Sequence, residues 1–140
     1  HADDETINDA LAASVAPMIC SHTGPRSLQD FPRYLPDDLM LEIARAGGLV
    51  GLWPFFSGGR GVPDLRTFAE YAAHCADLIG PDHLAIGSDI NGVPGNMAGY
   101  RNLFDSAKII TVLSERGFSD QEVAGIAGLN FLRFFRTVAK

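Results

Sequence analysis

Three short apolar runs divide the chain at nearly regular intervals. They cover residues 16–20, 48–53 and 83–87, and none of them alternates with polar residues. An uninterrupted apolar run of this length is typical of a parallel strand whose two faces are both covered. The spacing between the runs suits one strand followed by one helix.

Amphipathic segments fill the intervals between these runs. Pro36 followed by Asp37 and Asp38 predicts the start of a helix, because proline suits the first turn and acidic side chains complement the helix dipole there. Gly47 predicts where this helix ends. A further helix is predicted from about Pro63 to just before Gly80, since its apolar residues follow steps of three and four. These residues are Leu65, Phe68, Ala72, Cys75 and Ile79.

The C-terminal third carries two further helix signals. Ser119 and Glu122 match a capping box, which predicts a helix start with Val123 and Ile126 facing inward. After Gly128, a strongly apolar last helix is expected to pack its aromatic residues. These are Phe131, Phe134 and Phe135, with Leu132 beside them. The glycine-rich segment 58–61 lacks the Lys-Ser/Thr ending of a phosphate loop, so we expect a mobile loop there.

The alternation of strands and helices predicts an α/β fold with a parallel sheet. Three strands are too few to close a (β/α)₈ barrel of the TIM type, which uses eight. An open three-stranded sheet would leave edges and apolar faces exposed. Because the chain begins at His1 rather than Met, we expect the missing partner strands in another segment. A small open α/β domain is the alternative.

Composition narrows the function classes. With 46% hydrophobic and 20% charged residues, the 140-residue chain can bury a core. The net charge of −6 argues against nucleic-acid binding, and no apolar run approaches the length that spans a bilayer. Cys20 and Cys75 lie in apolar segments, which favours two buried thiols over a disulfide. The cellular address stays open; the cysteines and the lack of a leader-like start favour the cytoplasm.

Polar side chains follow the predicted strands at the edge where parallel α/β sheets bind ligands. His22 follows the first strand and is suited to zinc, or it caps the strand end as a structural residue. Asp89 follows the third strand as a metal ligand, a base or an Asx-turn residue. Arg33, before the next helix, could hold a carboxylate, but Arg26 competes for that role. Trp53, after the second strand, is a pocket wall or a core residue.

Five segments, in order, resemble the C-terminal half of the membrane dipeptidase (renal dipeptidase) family of zinc peptidases. They are residues 21–23, 33–38, 47–50, 87–92 and 128–133. The resemblance runs along nearly the whole chain. It implies that residues 1–140 are the C-terminal part of a single metallo-dipeptidase (β/α)₈ barrel domain. The N-terminal half of that barrel would lie outside this chain's 140 residues, in the same protein or in a separate subunit.

The resemblance also implies two zinc ions and hydrolysis of dipeptides. His1 and His22 match the two histidines on one zinc, and Asp89 matches an aspartate near the other zinc that acts as ligand and proton shuttle. Arg33 matches the arginine that binds the free carboxylate of the dipeptide. In such a binuclear site, a bridging hydroxide attacks the peptide carbonyl and Asp89 passes a proton to the leaving amine.

Several departures from the family pattern keep alternatives open. The His-x-Asp motif and the bridging Glu of the family are not in these 140 residues. The usual Asp-Phe-Asp-Gly has Asn91 in place of its second aspartate, and the usual Arg-Asn has Tyr34 after Arg33. One alternative is an inactive barrel relative that serves in binding or assembly. Another is a related hydrolase of a non-peptide amide. The oligomeric state is also open, a homodimer included.

Overall fold

A computed structural model describes residues 1–139. Its strands are β1 (Ile19–Thr23), β2 (Leu49–Leu52), β3 (Phe56–Ser57), β4 (Arg60–Gly61) and β5 (Leu84–Ile86). The central sheet is parallel, with the strand order β1–β2–β5. The predicted α/β class is therefore confirmed. The first strand begins later than the apolar run predicts, so His22 lies within β1 rather than after it.

Helices follow the strands along the chain. They are α1 (Asp4–Ala13), α2 (Asp37–Arg45), α3 (Leu65–Ile79), α4 (Ser106–Arg116), α5 (Asp120–Ala124) and α6 (Asn130–Val138). Both α2 and α3 agree with the predicted helices. A π-helical turn, Gly125–Leu129, joins α5 to α6, and the capping box of Ser119 and Glu122 is present. Among residues 1–139, no helix is long and apolar enough to cross a membrane.

Helices α1 and α4 were not predicted from the sequence, although each carries a residue that marks one of its ends. The Asp3 carboxylate caps α1 by accepting a hydrogen bond from the Thr6 backbone N–H, at 2.9 Å. At the other helix, Gly117 adopts a left-handed conformation with φ of 106° and ends α4. Helix α1 contains no buried residue, so no apolar stripe accompanies its signal, whereas α4 buries Ile109 and Leu113.

The glycine-rich segment forms a tight hairpin rather than the expected mobile loop. Strands β3 and β4 pair antiparallel across Gly58 and Gly59, whose φ angles are 59° and 75°. Two successive positive φ angles match the turn that follows the natural twist of a hairpin. Glycine reaches this conformation without steric cost, which the prediction of a loop overlooked.

The core lies where α2 and α3 cover the sheet. Several large side chains in this layer are completely or almost completely buried. Burying each of them stabilises the fold by about 1.5–3 kcal/mol. They include Met40, Ile43, Leu52, Phe68 and Leu84. Val123 and Ile126 are also buried, as predicted.

The last helix does not pack its apolar residues as expected. Phe131, Leu132 and Phe135 are 44%, 47% and 53% exposed, because no part of residues 1–139 covers them. Instead, α6 is anchored through the buried Asn130. Its Nδ2 donates hydrogen bonds to two carbonyl oxygens before and within β5, each at 2.8 Å. The chain therefore has a substantial apolar face at its C-terminal helix.

A bulge interrupts β1 just where His22 stands. The pairing with β2 shifts register between Cys20 and Thr23. A Cβ atom at Gly51 or Gly87 would overlap the carbonyl oxygen of Ser21. These two glycines thus make room for the bulge, and a bulge re-aims the side chains of its strand.

Tyr34 and Gly24 interlock at the start of the loop between β1 and α2. Tyr34 is fully buried, and a Cβ atom at Gly24 would lie 2.6–2.8 Å from its ring. Burial raises the pKa of the Tyr34 phenol. The ring therefore occupies the volume that a side chain at position 24 would need.

Candidate active site

His22 stands at the carboxyl end of β1 with its side chain 16% exposed. Its Nε2 accepts a hydrogen bond from Nη2 of Arg33 at 3.1 Å. Since Nε2 is then the acceptor, Nδ1 carries the proton and donates to Oγ of Ser21 at 2.8 Å. In metal sites, a hydrogen bond to the ring nitrogen that does not face the metal fixes the tautomer and orientation of the histidine.

His1 lies beside His22, with 5.5 Å between the ring centroids. Nη2 of Arg33 also donates to Nε2 of His1, at 3.1 Å. The lone pairs of both imidazoles are therefore directed at the same atom, Nη2 of Arg33, which a metal ion bound between them would displace. Two converging imidazole nitrogens are the donor arrangement that a zinc ion requires.

Asp89 approaches the same point from the loop after β5. Its Oδ2 lies 3.7 Å from Nε2 of His22. The backbone of Asp89 has a φ of 43°, the only positive value among non-glycine residues within 1–139. A Cβ atom at Gly92 would overlap the Asp89 carboxylate, so this glycine admits the carboxylate into the turn. Strained backbone of this kind clusters at functional sites.

Electrostatics keep His22 neutral near pH 7. Burial lowers the pKa of His22, and the adjacent Asp89 opposes that shift only in part. A neutral imidazole does not form an ion pair with the carboxylate at 3.7 Å. Its Nε2 carries no proton and accepts the hydrogen bond from Arg33, and an unprotonated nitrogen is what metal binding needs.

The geometry separates the two arginines that the sequence left in competition. Arg26 donates through its Nη atoms to the Asp4 carboxylate at 2.6 and 2.9 Å, and through Nε to the carbonyl of Tyr34 at 2.8 Å. It is therefore committed to internal contacts. The guanidinium of Arg33 lies among the histidines, 5.0 Å from the ring centroid of Trp53.

A cleft of about 540 Å³ opens beside these groups. His22 and Asp89 line it, together with Gly51 of β2 and Phe131 of α6. It is large enough for a small ligand, and Phe131 is the part of the last helix that lines its apolar wall.

The described part of the chain supplies an incomplete set of metal donors. No three His, Cys, Asp or Glu side chains within residues 1–139 are grouped closely enough to hold an ion by themselves. Two imidazoles with a nearby carboxylate nevertheless have the chemistry of zinc ligands, and zinc takes about four. Further ligands would have to come from outside the described residues.

The sequence did not assign Thr23 to the site and left Trp53 open as a pocket wall or a core residue. Thr23 is 1% exposed, and its hydroxyl bonds to the loop that carries Arg33. Trp53 is only 3% exposed, as a core residue would be, yet it contacts both His22 and Arg33. The sequence signal that could have identified Thr23 was its position directly after His22 at the end of a strand.

Comparison with known proteins identifies the family of this chain. The family model for membrane dipeptidase (peptidase family M19) matches residues 1–140. The chain is 34% identical over 140 residues to dipeptidase verJ of Clonostachys rogersoniana, covering 99% of this chain and 36% of that one. It is 30% identical over 144 residues to dipeptidase 3 of Rattus norvegicus, covering 99% and 29%.

A solved structure shares the fold. It is a metallo peptidase from Rhodobacter sphaeroides with a bound phosphinate mimic of the dipeptide L-Ala-D-Ala. The TM-score is 0.90 at 20% identity, over 98% of this chain and 40% of that one. The chain therefore has the fold of part of a barrel. The chain belongs to the membrane dipeptidase family of metallopeptidases, and it spans about a third of the length of these curated relatives.

Proposed function

We propose that this chain is the C-terminal part of a zinc-dependent dipeptidase with a binuclear metal centre. His1, His22 and Asp89 act as metal ligands, Asp89 also transfers protons, and Arg33 binds the substrate. The observation that carries the proposal is that both imidazole Nε2 atoms face the same Nη2 atom of Arg33 at 3.1 Å, with the Asp89 carboxylate 3.7 Å from one of them. The dipeptide mimic bound by the Rhodobacter sphaeroides relative supports the substrate class.

Zinc held by His1, His22 and Asp89 would lower the pKa of a water molecule, so that hydroxide is available near neutral pH, and would polarise the peptide carbonyl. The chain's own residues prepare for it. His22 stays neutral because burial lowers its pKa, and Ser21 holds its Nδ1–H so that Nε2 faces the site.

Two side chains would handle the substrate itself. The Arg33 guanidinium offers paired N–H donors that match the two oxygens of a C-terminal carboxylate. Asp89 is placed to take a proton at Oδ2 and deliver it to the leaving amine. The positive charge of Arg33 and a carboxylate at Asp89 that can carry a proton together suit hydrolysis of a short peptide with a free carboxyl end.

We further propose that the other half of a (β/α)₈ barrel completes this site. The half-exposed Phe131, Leu132 and Phe135 of α6 form an apolar face of the kind that another layer covers. Ile19 on the edge strand β1 is 41% exposed as well. The remaining strands would cover these residues and bring the missing metal ligands.

Metal analysis of the complete protein tests the proposal. We expect two zinc ions per site and cleavage of dipeptides. His22→Ala should lose zinc and activity, whereas the matched control His74→Ala, on the outer helix α3, should keep both. Arg33→Ala should lower kcat/KM for dipeptides with a free carboxylate by about 10- to 100-fold, since hydrogen bonds to a charged group contribute about 1.5–3 kcal/mol.

Other outcomes would favour the alternatives. Zinc binding with turnover of non-peptide amides, and none of dipeptides, would indicate a related amidohydrolase. A protein that holds less than one zinc per site and cleaves neither substrate class would indicate an inactive relative used in binding or assembly.

A further inference from the structure

The proposed carboxylate-binding residue, Arg33, stands on a loop rather than on a strand. The loop runs from residue 24 to residue 36, between β1 and α2. An arginine side chain carries about 2 kcal/mol of rotamer entropy, and a loop adds backbone freedom. A guanidinium that selects one substrate group must be held in place by its neighbours.

Thr23 holds the backbone of this arginine. The Thr23 hydroxyl donates a hydrogen bond to the carbonyl oxygen of Arg33 at 3.1 Å and accepts one from the Leu35 N–H at 3.2 Å. Thr23 is 1% exposed and follows His22 directly in β1. One buried hydroxyl therefore joins the strand that carries a candidate metal ligand to the loop that carries the guanidinium.

Trp53 packs against the guanidinium, whose Nη2 also donates to Nε2 of His1 and of His22. Zinc on those two nitrogens would displace these hydrogen bonds and leave the contact with the indole. Its ring centroid lies 5.0 Å from Cζ of Arg33 and 5.1 Å from the ring of His22. The indole stacks on Phe55 at 4.3 Å, which keeps it from tilting. Its backbone N–H donates to the Thr23 carbonyl at 2.8 Å, so Trp53 and Thr23 form one connected unit.

The attachment of the loop does not depend on the Thr23 hydroxyl alone. The Leu35 N–H also bonds to the carbonyl of Gly24 at 3.0 Å, and the Arg26 N–H bonds to the carbonyl of Leu35 at 2.8 Å. These backbone contacts persist when the hydroxyl is removed. The Arg33 carbonyl, by contrast, loses its bond to Thr23.

We propose that Thr23 and Trp53 are positioning residues for Arg33, and that together they set the selectivity of the site for substrates with a free carboxylate. Thr23 fixes the Arg33 backbone, and Trp53 supports the guanidinium through its ring. The inference rests on the proposed dipeptidase function. It adds two residues that act through Arg33 and do not touch the reacting atoms.

The test compares Thr23→Val with Thr23→Ser in the complete, zinc-loaded protein. Valine keeps the shape of threonine but lacks the hydroxyl, whereas serine keeps the hydroxyl. For a dipeptide with a free carboxylate, we expect Thr23→Val to lower kcat/KM about three- to tenfold, mostly through KM. The same dipeptide with an amidated C-terminus should change less than about twofold, because Arg33 contributes little to its binding. Thr23→Ser should restore the wild-type preference, and zinc content should match in all three proteins.

A second arm ties the effect to Arg33. In an Arg33→Ala background, neither Thr23→Val nor Trp53→Leu should alter the ratio of free to amidated turnover any further, since coupled residues are not additive. Trp53→Leu alone should lower that ratio, with Trp53→Phe intermediate.

The outcomes separate this inference from the proposed function. If the wild type binds zinc but cleaves no dipeptide, the proposed function is wrong, and the positioning inference falls with it. If the wild type cleaves dipeptides selectively and Thr23→Val keeps the same preference, only the positioning inference is overturned. Equal losses for free and amidated substrates, or losses that persist without Arg33, would show a purely structural role and would also overturn it.

Discussion

Replacing Asn130 by alanine should destabilise the protein by about 2–4 kcal/mol. Nδ2 of this side chain donates to the carbonyls of Pro81 and Leu84, both at 2.8 Å, and Asn130 is 2% exposed. Alanine leaves both carbonyls without this donor. The buried Leu84 oxygen then costs about 1–3 kcal/mol, and the partly buried Pro81 oxygen costs about 0.5–1.5 kcal/mol.

Urea unfolding of the complete protein measures this loss, with Thr137→Ala on the same helix as the control. Thr137 is exposed, and its hydroxyl bonds only within α6 to the carbonyl of Arg133, so its replacement should change stability by less than about 0.5 kcal/mol. A drop for Asn130→Ala no larger than the control's would refute the claim that this amide anchors α6 to β5.

Asn130→Asp sharpens the same test. An ionised carboxylate would face the two carbonyl oxygens, so the folded state should raise the pKa of that aspartate. A raised pKa means that Asn130→Asp is more stable at acidic pH and loses stability as the pH rises through that pKa. A variant whose stability does not depend on pH in this way would contradict the assigned orientation of the amide.

Three further changes follow from contacts described above. Gly87→Ala places a Cβ against the Ser21 carbonyl, so it should destabilise the protein by about 1–3 kcal/mol and weaken zinc retention; unchanged urea midpoint and zinc content would contradict this. Burial raises the pKa of Cys75 to about 12, so iodoacetamide should label it only after unfolding; labelling of the native protein at neutral pH would show that the thiol is accessible. The hydrogen bond from Arg26 lowers the pKa of Asp4, so its stabilising effect is present at neutral pH and lost as the pH falls through that lowered value. Asp4→Asn should flatten this acid dependence of the unfolding midpoint, and an identical pH profile would count against it.

Features with a regular period in the sequence were predictable. The apolar runs gave the three parallel strands, and steps of three and four residues gave α3, because burial on one or both faces leaves a direct mark on residue order. Helix α1 escaped prediction because it has no buried face, and its cap at Asp3 is a short polar signal.

Burial of the last helix was predicted wrongly for a different reason. An apolar stripe shows that a helix has a face to cover, but it does not show which segment covers it. The aromatic residues of α6 are about half exposed in the part of the chain that the structure describes. The periodicity of the sequence therefore predicts the helix, but not the segment that packs against it.

Of the candidate site, the sequence predicted the residues that lie at the ends of strands. His22 and Asp89 follow from the rule that ligands bind at the carboxyl edge of a parallel sheet, and the structure brings them within 3.7 Å. Their roles as metal ligands stay predictions, as does the role of Arg33. The links through Thr23 and Trp53 depend on the path of the loop, which a linear pattern does not encode.

The interlock between Tyr34 and Gly24 also limits how this protein can change. Restoring the asparagine that usually follows the arginine would leave a void beside position 24, whereas adding a side chain at position 24 would collide with the phenol ring. Either substitution is unfavourable when it is made without the other. Descendants of this chain should therefore exchange both residues together or neither, and a designer who wishes to alter this loop should treat the two positions as one.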